Sequence, residues 1–368
     1  MEEHFVMTGT MIPVGEGEIR MGTRVKVIIG MILGLLLIVP LGLAVMLYEQ
    51  NFSQRLESYA PLGRSLDEFE GMNRERFTFA SHRGQNLVGY KNFGETTDPR
   101  GVIVIAHGLG GGGHNSYLDI ADYFTSHGYL VFAYDATGND ESEGDSVRGI
   151  PQGLIDLDYA LRFVKGTPDF AGLPIMLFGH SWGAYSAGSV LNYHPDVQAV
   201  VMVAGFNEPG DVIREAGQQM MGKAVRLLMP FVSMYERMKF GEYANQTCIA
   251  GFENSAARVM IIHSVDDDTI SSEASYDIFF RRYANNPRFQ FLQFEDRGHN
   301  RIWYADHATA YRDAFNEEFA VYVSSIEEEF TPEIRAEYLE RHLEKSLLYA
   351  LDEEVMGRIL SFYDESMR

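Results

Sequence analysis

The sequence predicts an α/β fold: a doubly wound, mostly parallel sheet with an inserted helical cap and an N-terminal transmembrane helix. Three observations predict it. Six apolar runs alternate with stretches of helical spacing, the alternation stops once between residues 205 and 256, and an uncharged apolar segment stands at residues 27–48. Strands that are apolar along their whole length are buried on both faces, as in a parallel sheet covered by helices.

Length and composition fit one large domain and limit the partners. The chain has 368 residues, of which 46 % are apolar, and this suffices for a single large α/β core. Its formal net charge of −22 repels polyphosphate, so nucleic acid is not an expected partner. Cys248 is the one cysteine, and the chain therefore forms no internal disulfide.

Residues 27–48 form the predicted membrane segment. They carry no charge, and as a helix they would span about 33 Å, enough to cross a bilayer core. Basic residues cluster just before them, so the positive-inside rule makes residues 1–26 a cytoplasmic tail of a single-pass cell-membrane protein with an extracytoplasmic domain. A cleaved signal peptide is the alternative, because Gly-Leu-Ala at 42–44 offers a small-residue cleavage site.

The remaining elements are predicted in chain order after a polar connector at residues 49–75. A β-hairpin begins near Arg76, since apolar and polar residues alternate on both sides of Gly84. Strands are then predicted in the six apolar runs, at 101–108, 129–138, 173–181, 197–205, 257–264 and 289–299. Helical spacing separates them at 117–127, 151–165, 183–194, 272–284 and 303–326, so the main domain is predicted at 76–326.

Two further segments lack strand-like runs. Residues 205–256 have helical spacing and many methionines, and they lie between two predicted sheet strands. They should therefore emerge at one end of the sheet as a cap, with part of the apolar surface lining an adaptable substrate entrance. Residues 327–368 are predicted as acidic helices, with Thr331 as an N-cap and Pro332 at the first helical position.

Ser181 is the candidate nucleophile. The stretch Gly179-His180-Ser181-Trp182-Gly183 fits Gly-x-Ser-x-Gly after a predicted strand and before a predicted helix. A serine hydroxyl is a weak nucleophile unless it is exposed, bonded to a base and next to a pocket that stabilises an anion. A sharp strand-to-helix turn exposes it, the flanking glycines leave room for that turn, and the helix N-terminus favours negative charge.

His299 and one of three aspartates complete a candidate catalytic triad. His299 follows the last apolar run, and sites in doubly wound sheets lie at the carboxyl ends of the strands. The segment after the fifth run offers Asp266, Asp267 and Asp268, and spacing alone leaves all three open. The chosen carboxylate would accept the imidazole Nδ1–H, orient the ring and stabilise the imidazolium.

An oxyanion would need two backbone N–H groups. Trp182, the residue after the serine, is expected to supply one. The glycine-rich loop at 106–117 is expected to supply the other, because glycines let a substrate approach the backbone closely. No Gly-Lys-Ser/Thr follows this loop and the sequence has no compact His/Cys cluster, so neither a nucleotide, a metal nor another cofactor is expected.

These motifs resemble those of the α/β-hydrolase superfamily over about residues 76–326. The resemblance rests on the His107-Gly108 loop, the stretch 134–144, the elbow at Ser181, the segment Asp266–Ile270 and the pair Gly298-His299. In that family the acid lies three residues after a glycine that Ser264 replaces here, so the resemblance selects Asp267, with Asp266 as the alternative. It also places the second oxyanion donor at Leu109.

The resemblance implies a membrane-anchored serine hydrolase without a cofactor. A small-molecule carboxylic ester, lipid-like in character, is the first expectation, because the cap is apolar and a membrane is near. A peptide or amide is the second, and a non-catalytic binding protein that keeps the fold is the competing class. A complete triad in the required chain order argues against the binding protein, whereas fold membership alone does not separate ester from amide. The sequence leaves the oligomeric state open.

Overall fold

A computed structural model describes residues 23–110, 112–326 and 329–368, so most of the predicted tail 1–26 lies outside the described residues. One sheet holds eight strands in the order β1-β2-β4-β3-β5-β6-β7-β8. The strands are β1 Asn73–Ala80, β2 Asn86–Phe93, β3 Val102–Ala106, β4 Leu130–Tyr134, β5 Ile175–His180, β6 Ala199–Val203, β7 Arg258–Ser264 and β8 Phe289–Phe294. Strand β2 pairs antiparallel with both β1 and β4, and β3 to β8 run parallel. The predicted fold class is confirmed.

Helices cover both faces of this sheet. They are α1 Thr23–Phe52, α2 Leu118–Ser126, α3 Pro151–Gly166, α4 Trp182–Ser189, α5 Pro209–Met221, α6 Val225–Phe240, α7 Cys248–Asn254, α8 Tyr276–Tyr283, α9 Asp306–Ser325, α10 Pro332–His342, α11 Lys345–Leu348 and α12 Glu353–Ser366. Helices α5 to α7 lie between β6 and β7, and they form the predicted helical cap.

The central strands β3 to β6 are buried at every position. Successive side chains of a strand point to opposite faces, so each strand feeds two apolar cores. In β3, Val102 and Val104 enter one core while Ile103 and Ile105 enter the other. This two-sided burial is why these runs are apolar throughout, and it holds the strand ends in a fixed arrangement.

The packed body extends beyond both predicted limits of the main domain, 76 and 326. Strand β1 begins three residues earlier, at Asn73. At the other end, the apolar face of α12 is buried against the sheet, and the Tyr363 hydroxyl donates a hydrogen bond to the backbone carbonyl of Leu177 at 2.8 Å. The acidic C-terminal segment is therefore amphipathic, and its last helix forms part of the layer that covers the sheet.

Helix α1 is continuous over 30 residues, which corresponds to a length of about 45 Å. Its first part exposes apolar side chains such as Leu35 and Ile38, whereas Ala44 and Tyr48 near its end are buried in the domain. An 18-residue window of this helix has a mean hydropathy of 2.8. By length and composition α1 is a candidate membrane span that runs without a break into the folded domain.

Candidate active site

Ser181 occupies a strained turn between β5 and α4. Its φ of +54° and ψ of −114° lie outside the regions that serine favours. A bond from its own N–H to the carbonyl of Val203, at 2.8 Å, ties the turn to the neighbouring strand. A Cβ on Gly183 would lie 1.9 Å from the backbone oxygen of Ala106, so only glycine fits there. The elbow is therefore built from the residues that the motif contains.

Ser181, His299 and Asp267 lie in one chain of hydrogen bonds. The His299 Nε2 atom is 2.9 Å from Ser181 Oγ, and its Nδ1 atom is 2.8 Å from Asp267 Oδ2. The three residues follow strands β5, β8 and β7, whose carboxyl ends share one edge of the sheet. Such an arrangement allows an imidazole to accept the serine proton while a carboxylate stabilises the imidazolium.

Asp267 combines burial with a lowered pKa. Burial acts to raise the pKa of this carboxyl, but the hydrogen bond and charge of His299 and the Ile270 N–H lower it below its ordinary value. Its second oxygen, Oδ1, accepts the N–H groups of Thr269 and Ile270 at 2.9 and 2.8 Å. These bonds keep Asp267 ionised and orient it towards the imidazole.

The two other aspartates of this segment do not contact the imidazole of His299. Asp266 Oδ1 accepts the Gly298 N–H at 2.7 Å and the Ser264 hydroxyl at 2.6 Å, which joins the loop that carries His299 to the end of β7. Asp268 is exposed and lies at the rim of the cavity described below. Of the three candidates that spacing left open, the structure brings only Asp267 to the ring.

The predicted oxyanion donors are the backbone N–H groups of Leu109 and Trp182. The Gly108 N–H donates to the Tyr117 hydroxyl at 2.9 Å, so the next N–H along the loop, that of Leu109, is the available one. Trp182 is the first residue of α4, where backbone N–H groups have no acceptor within the helix. Neither N–H donates a hydrogen bond to another described residue, and both are free to stabilise an anion.

Two residues that the sequence analysis did not select connect the loops of the site. The Tyr117 hydroxyl donates to His180 Nδ1 at 2.9 Å, and His180 Nε2 donates to the backbone carbonyl of His299 at 3.0 Å. Burial, together with the nearby charge of His299, lowers the pKa of His180 to about 3. His180 is therefore neutral, with its proton on Nε2. It stands inside the elbow motif, but a motif does not reveal what a buried side chain contacts.

Ser181 and His299 open into a cavity of about 890 Å³. Its walls include residues from the end of α1 and the stretch that follows it, the loop after β3, the cap helix α5, the loop that carries His299 and the C-terminal helices α9 to α11. The apolar wall residues include Val212, Ala216, Phe52, Leu62, Phe315, Phe319, Leu339 and Leu348. The sequence analysis expected only the cap at this entrance. Across the residues that the structure describes, no group of three or more His, Cys, Asp or Glu side chains could hold a metal ion.

Sequence comparison relates part of the chain to known hydrolases. Residues 97–250 match the family model described as serine aminopeptidase, S33. A monoacylglycerol lipase of Mycolicibacterium smegmatis is 31 % identical over 158 residues, which cover 37 % of this chain and 56 % of that protein. A human monoglyceride lipase is 32 % identical over 89 residues, 24 % of this chain and 29 % of that protein. The chain thus matches about half, or less, of the length of these curated relatives.

Structure comparison extends the likeness to a larger share of the chain. A solved structure of an esterase from Pyrococcus furiosus superposes with a TM-score of 0.50 at 14 % sequence identity, covering 71 % of this chain and 94 % of the esterase. At this identity the likeness concerns the fold alone. The family match includes Ser181 but ends before Asp267 and His299, so the assignment of those two residues depends on the geometry described above.

Proposed function

We propose that this chain is a membrane-anchored serine hydrolase of the α/β-hydrolase superfamily that cleaves a carboxylic ester. One observation carries the proposal: the hydroxyl of Ser181, the imidazole of His299 and the carboxylate of Asp267 are joined by bonds of 2.9 and 2.8 Å beside a large cavity. A binding protein would have no need of all three groups in this order.

In the first half of the proposed reaction, Ser181 Oγ attacks the carbonyl carbon of the ester. His299 Nε2 takes the hydroxyl proton, and Asp267 stabilises the resulting imidazolium. The carbonyl oxygen becomes an oxyanion that accepts hydrogen bonds from the backbone N–H groups of Leu109 and Trp182. One such donor stabilises the transition state by about 3 kcal/mol.

In the second half, the tetrahedral intermediate collapses to an acyl-enzyme. The bond between the carbonyl carbon and the alcohol oxygen breaks, and His299 gives its proton to that oxygen, so the leaving group departs as an alcohol. A water molecule then attacks the acyl carbon while His299 accepts one of its protons. Collapse of the second intermediate returns the proton to Ser181 and releases the carboxylic acid.

The proposed substrate is an ester with an apolar acyl chain. The cavity walls carry many aliphatic and aromatic side chains, which suit an alkyl group, together with Arg64, Arg312 and Arg335. Two relatives are named for monoacylglycerol and monoglyceride, and for this chain we adopt the wider class to which those esters belong.

Hydrolysis of a peptide or amide is the second candidate. It is favoured by the family model, whose description is serine aminopeptidase. The triad and the oxyanion donors serve both reactions, because each passes through an acyl-enzyme. The fold does not separate the two, so the choice depends on measured turnover.

Labelling of the purified full-length chain in detergent tests the proposed enzyme. A fluorophosphonate probe should react covalently with the wild type and not with Ser181→Ala, since the probe requires an activated serine. Hydrolysis should then be measured on p-nitrophenyl esters of increasing acyl length and on peptide p-nitroanilides. Faster turnover of the longer esters supports the proposal, turnover of the anilides alone favours the peptidase, and equal labelling of both proteins would contradict the site.

The proposed topology places the catalytic domain outside the cytoplasm. A tag after Arg368 should then be accessible to antibody on intact cells, and protection of the tag would reverse the orientation. The mass of the mature protein separates a retained anchor from a cleaved signal peptide, because cleavage near residues 42–44 would remove most of the apolar segment.

A further inference from the structure

The end of α1 and the cap helix α6 are packed into one unit. The Tyr48 hydroxyl donates to Glu236 Oε1 at 2.8 Å, and the Tyr48 ring meets the Tyr235 ring edge-on at 5.6 Å. Glu49 bonds both Tyr235 and Lys239. Tyr48 is only 2 % exposed, so its contacts with Glu236 and Tyr235 are shielded from water. The orientation of the cap relative to α1 is therefore fixed by the fold.

The contacts also give the register of the two helices. Tyr48 meets Glu236, and five residues further along the chain, just after α1, Ser53 meets Lys239, so α1 and α6 run in the same direction. Leu227 stands nine residues before Glu236, and Val39 stands nine residues before Tyr48, each about 13 Å back along its helix axis. Leu227 therefore lies roughly level with Val39, inside the apolar part of α1.

The segment at this level is the tip of the cap, residues 220–227, where α5 ends and α6 begins. Met220 and Leu227 are exposed there, and so are the cations Lys223 and Arg226. Exposed apolar side chains beside basic ones suit the headgroup layer of a bilayer, where alkyl groups enter the acyl region and cations meet phosphate. A basic tip is a local exception in a chain of net charge −22.

The tip adjoins the cavity of the active site. Along α5, Val212, Ala216 and Gln219 line the cavity at helical spacing, and Gln219 directly precedes the tip. We propose that residues 220–227 insert into the headgroup layer of the bilayer that α1 enters, and that the ester passes from this surface along α5 to Ser181. The inference rests on the proposed function, because it takes α1 as the anchor. The partner of residues 220–227 is a phospholipid surface.

Depth measurement on the full-length chain in phosphatidylcholine vesicles tests the tip. Leu227→Cys and Met238→Cys would each carry an environment-sensitive fluorophore, while the native Cys248 is fully buried and stays unlabelled. The two sites are a matched pair: they are 76 and 75 % exposed, and eleven residues apart on α6, so they share a face about 16 Å apart along the axis. Lipids spin-labelled near the headgroup should quench the fluorophore at 227 and not at 238.

A third label separates failure of this inference from failure of the anchor. Met31→Cys on α1, exposed and about 12 Å beyond the level of Val39, should be quenched by lipids spin-labelled deep in the acyl chains. If it is not, the proposed anchor is wrong and the tip has no bilayer to meet. If position 31 is quenched while 227 and 238 behave alike, the anchor stands and the inference about the tip is overturned.

Turnover should also differ between variants at positions 227 and 238. With the ester embedded in vesicles, Leu227→Glu should lower the rate about tenfold, since a charge replaces an apolar contact with the acyl region. With a short, water-soluble ester the same variant should match the wild type. Met238→Glu should leave both rates unchanged. Equal losses for Leu227→Glu on both substrates would indicate damage to the cap and would contradict entry from the bilayer.

Discussion

Two buried carboxylates, Asp267 at the sheet edge and Glu236 at the junction of α1 with the cap, behave in opposite ways. They are 7 and 3 % exposed, so burial acts on both. The pKa of Asp267 is nevertheless lowered, because an imidazole and backbone N–H groups donate to it. Burial raises the pKa of Glu236 to about 7, and the single hydroxyl of Tyr48 does not offset it. The number and kind of donors, and not burial itself, decide which buried acid is charged.

The donors also differ in their distance along the chain. Two donors of Asp267 are the N–H groups of Thr269 and Ile270, supplied by the tight turn directly after β7. The donor of Glu236 is Tyr48, 188 residues earlier on a different helix. The Asp267 site is thus formed largely by local backbone, whereas the Glu236 site forms only when α1 docks on the cap.

The largest expected effect comes from removing the charge at the sheet edge. Asp267→Asn should lower kcat on p-nitrophenyl esters about 10⁴-fold, because an amide neither fixes the proton of His299 on Nδ1 nor stabilises the imidazolium. Circular dichroism of the same sample would verify that the variant is folded. An activity close to the wild type would mean that Asp267 is only a structural carboxylate, as Glu236 is.

Asp266→Asn is the matched control for this prediction. Its remaining Oδ1 atom can still accept the Gly298 N–H and the Ser264 hydroxyl, so the loop that carries His299 should keep its position. We expect a loss of no more than about tenfold. A ranking in which Asp266→Asn is the slower variant would transfer the role of the triad acid to Asp266.

The second prediction concerns Glu236 and the pH dependence of the free energy of unfolding. The pKa of Glu236 rises from 4.5 to about 7 on folding, so its contribution is full below pH 4.5 and is lost as the pH rises through 7. The contribution of Glu236 to the free energy of unfolding thus falls by about 3 kcal/mol over this pH range. Thermal unfolding in detergent should therefore show Glu236→Gln gaining on the wild type between pH 5 and pH 8.5, since glutamine has no proton to lose.

Glu242→Gln, at an exposed position after α6, is the control for the pH series. It should follow the wild type at every pH. If Glu236→Gln also follows the wild type, the buried carboxyl is already ionised at low pH, and the contrast with Asp267 disappears.

The sequence predicts the site at the sheet edge better than it predicts the contact between α1 and the cap. The central strands, the cap and the position of Ser181 follow from patterns within short segments, because a run of apolar residues and a pair of glycines act locally. The contacts of Tyr48 with Glu236 and of Tyr363 with Leu177 each join segments more than 180 residues apart. Helical periodicity indicates that α1 and α12 have buried faces, but it does not indicate what covers them.

A third buried group, His180, gives the smallest expected effect on activity. His180 lies at the same sheet edge as Asp267, yet it is neutral, because burial lowers its pKa to about 3. The Tyr117 hydroxyl occupies its Nδ1 and the carbonyl of His299 occupies its Nε2. Its task is therefore geometric: it holds the backbone of His299 and, through Tyr117, the N–H of Gly108 beside the oxyanion donor Leu109.

Tyr117→Phe removes two of these bonds and keeps the ring. We expect kcat to fall about tenfold with KM unchanged, since loosened loops misplace the imidazole and the oxyanion donor without altering the apolar walls of the cavity. Tyr123→Phe, half-buried on α2, should leave both constants unchanged. A rise in KM at constant kcat would instead place Tyr117 among the groups that bind substrate, whereas a selective loss of kcat identifies it as a positioning residue that acts through neutral His180.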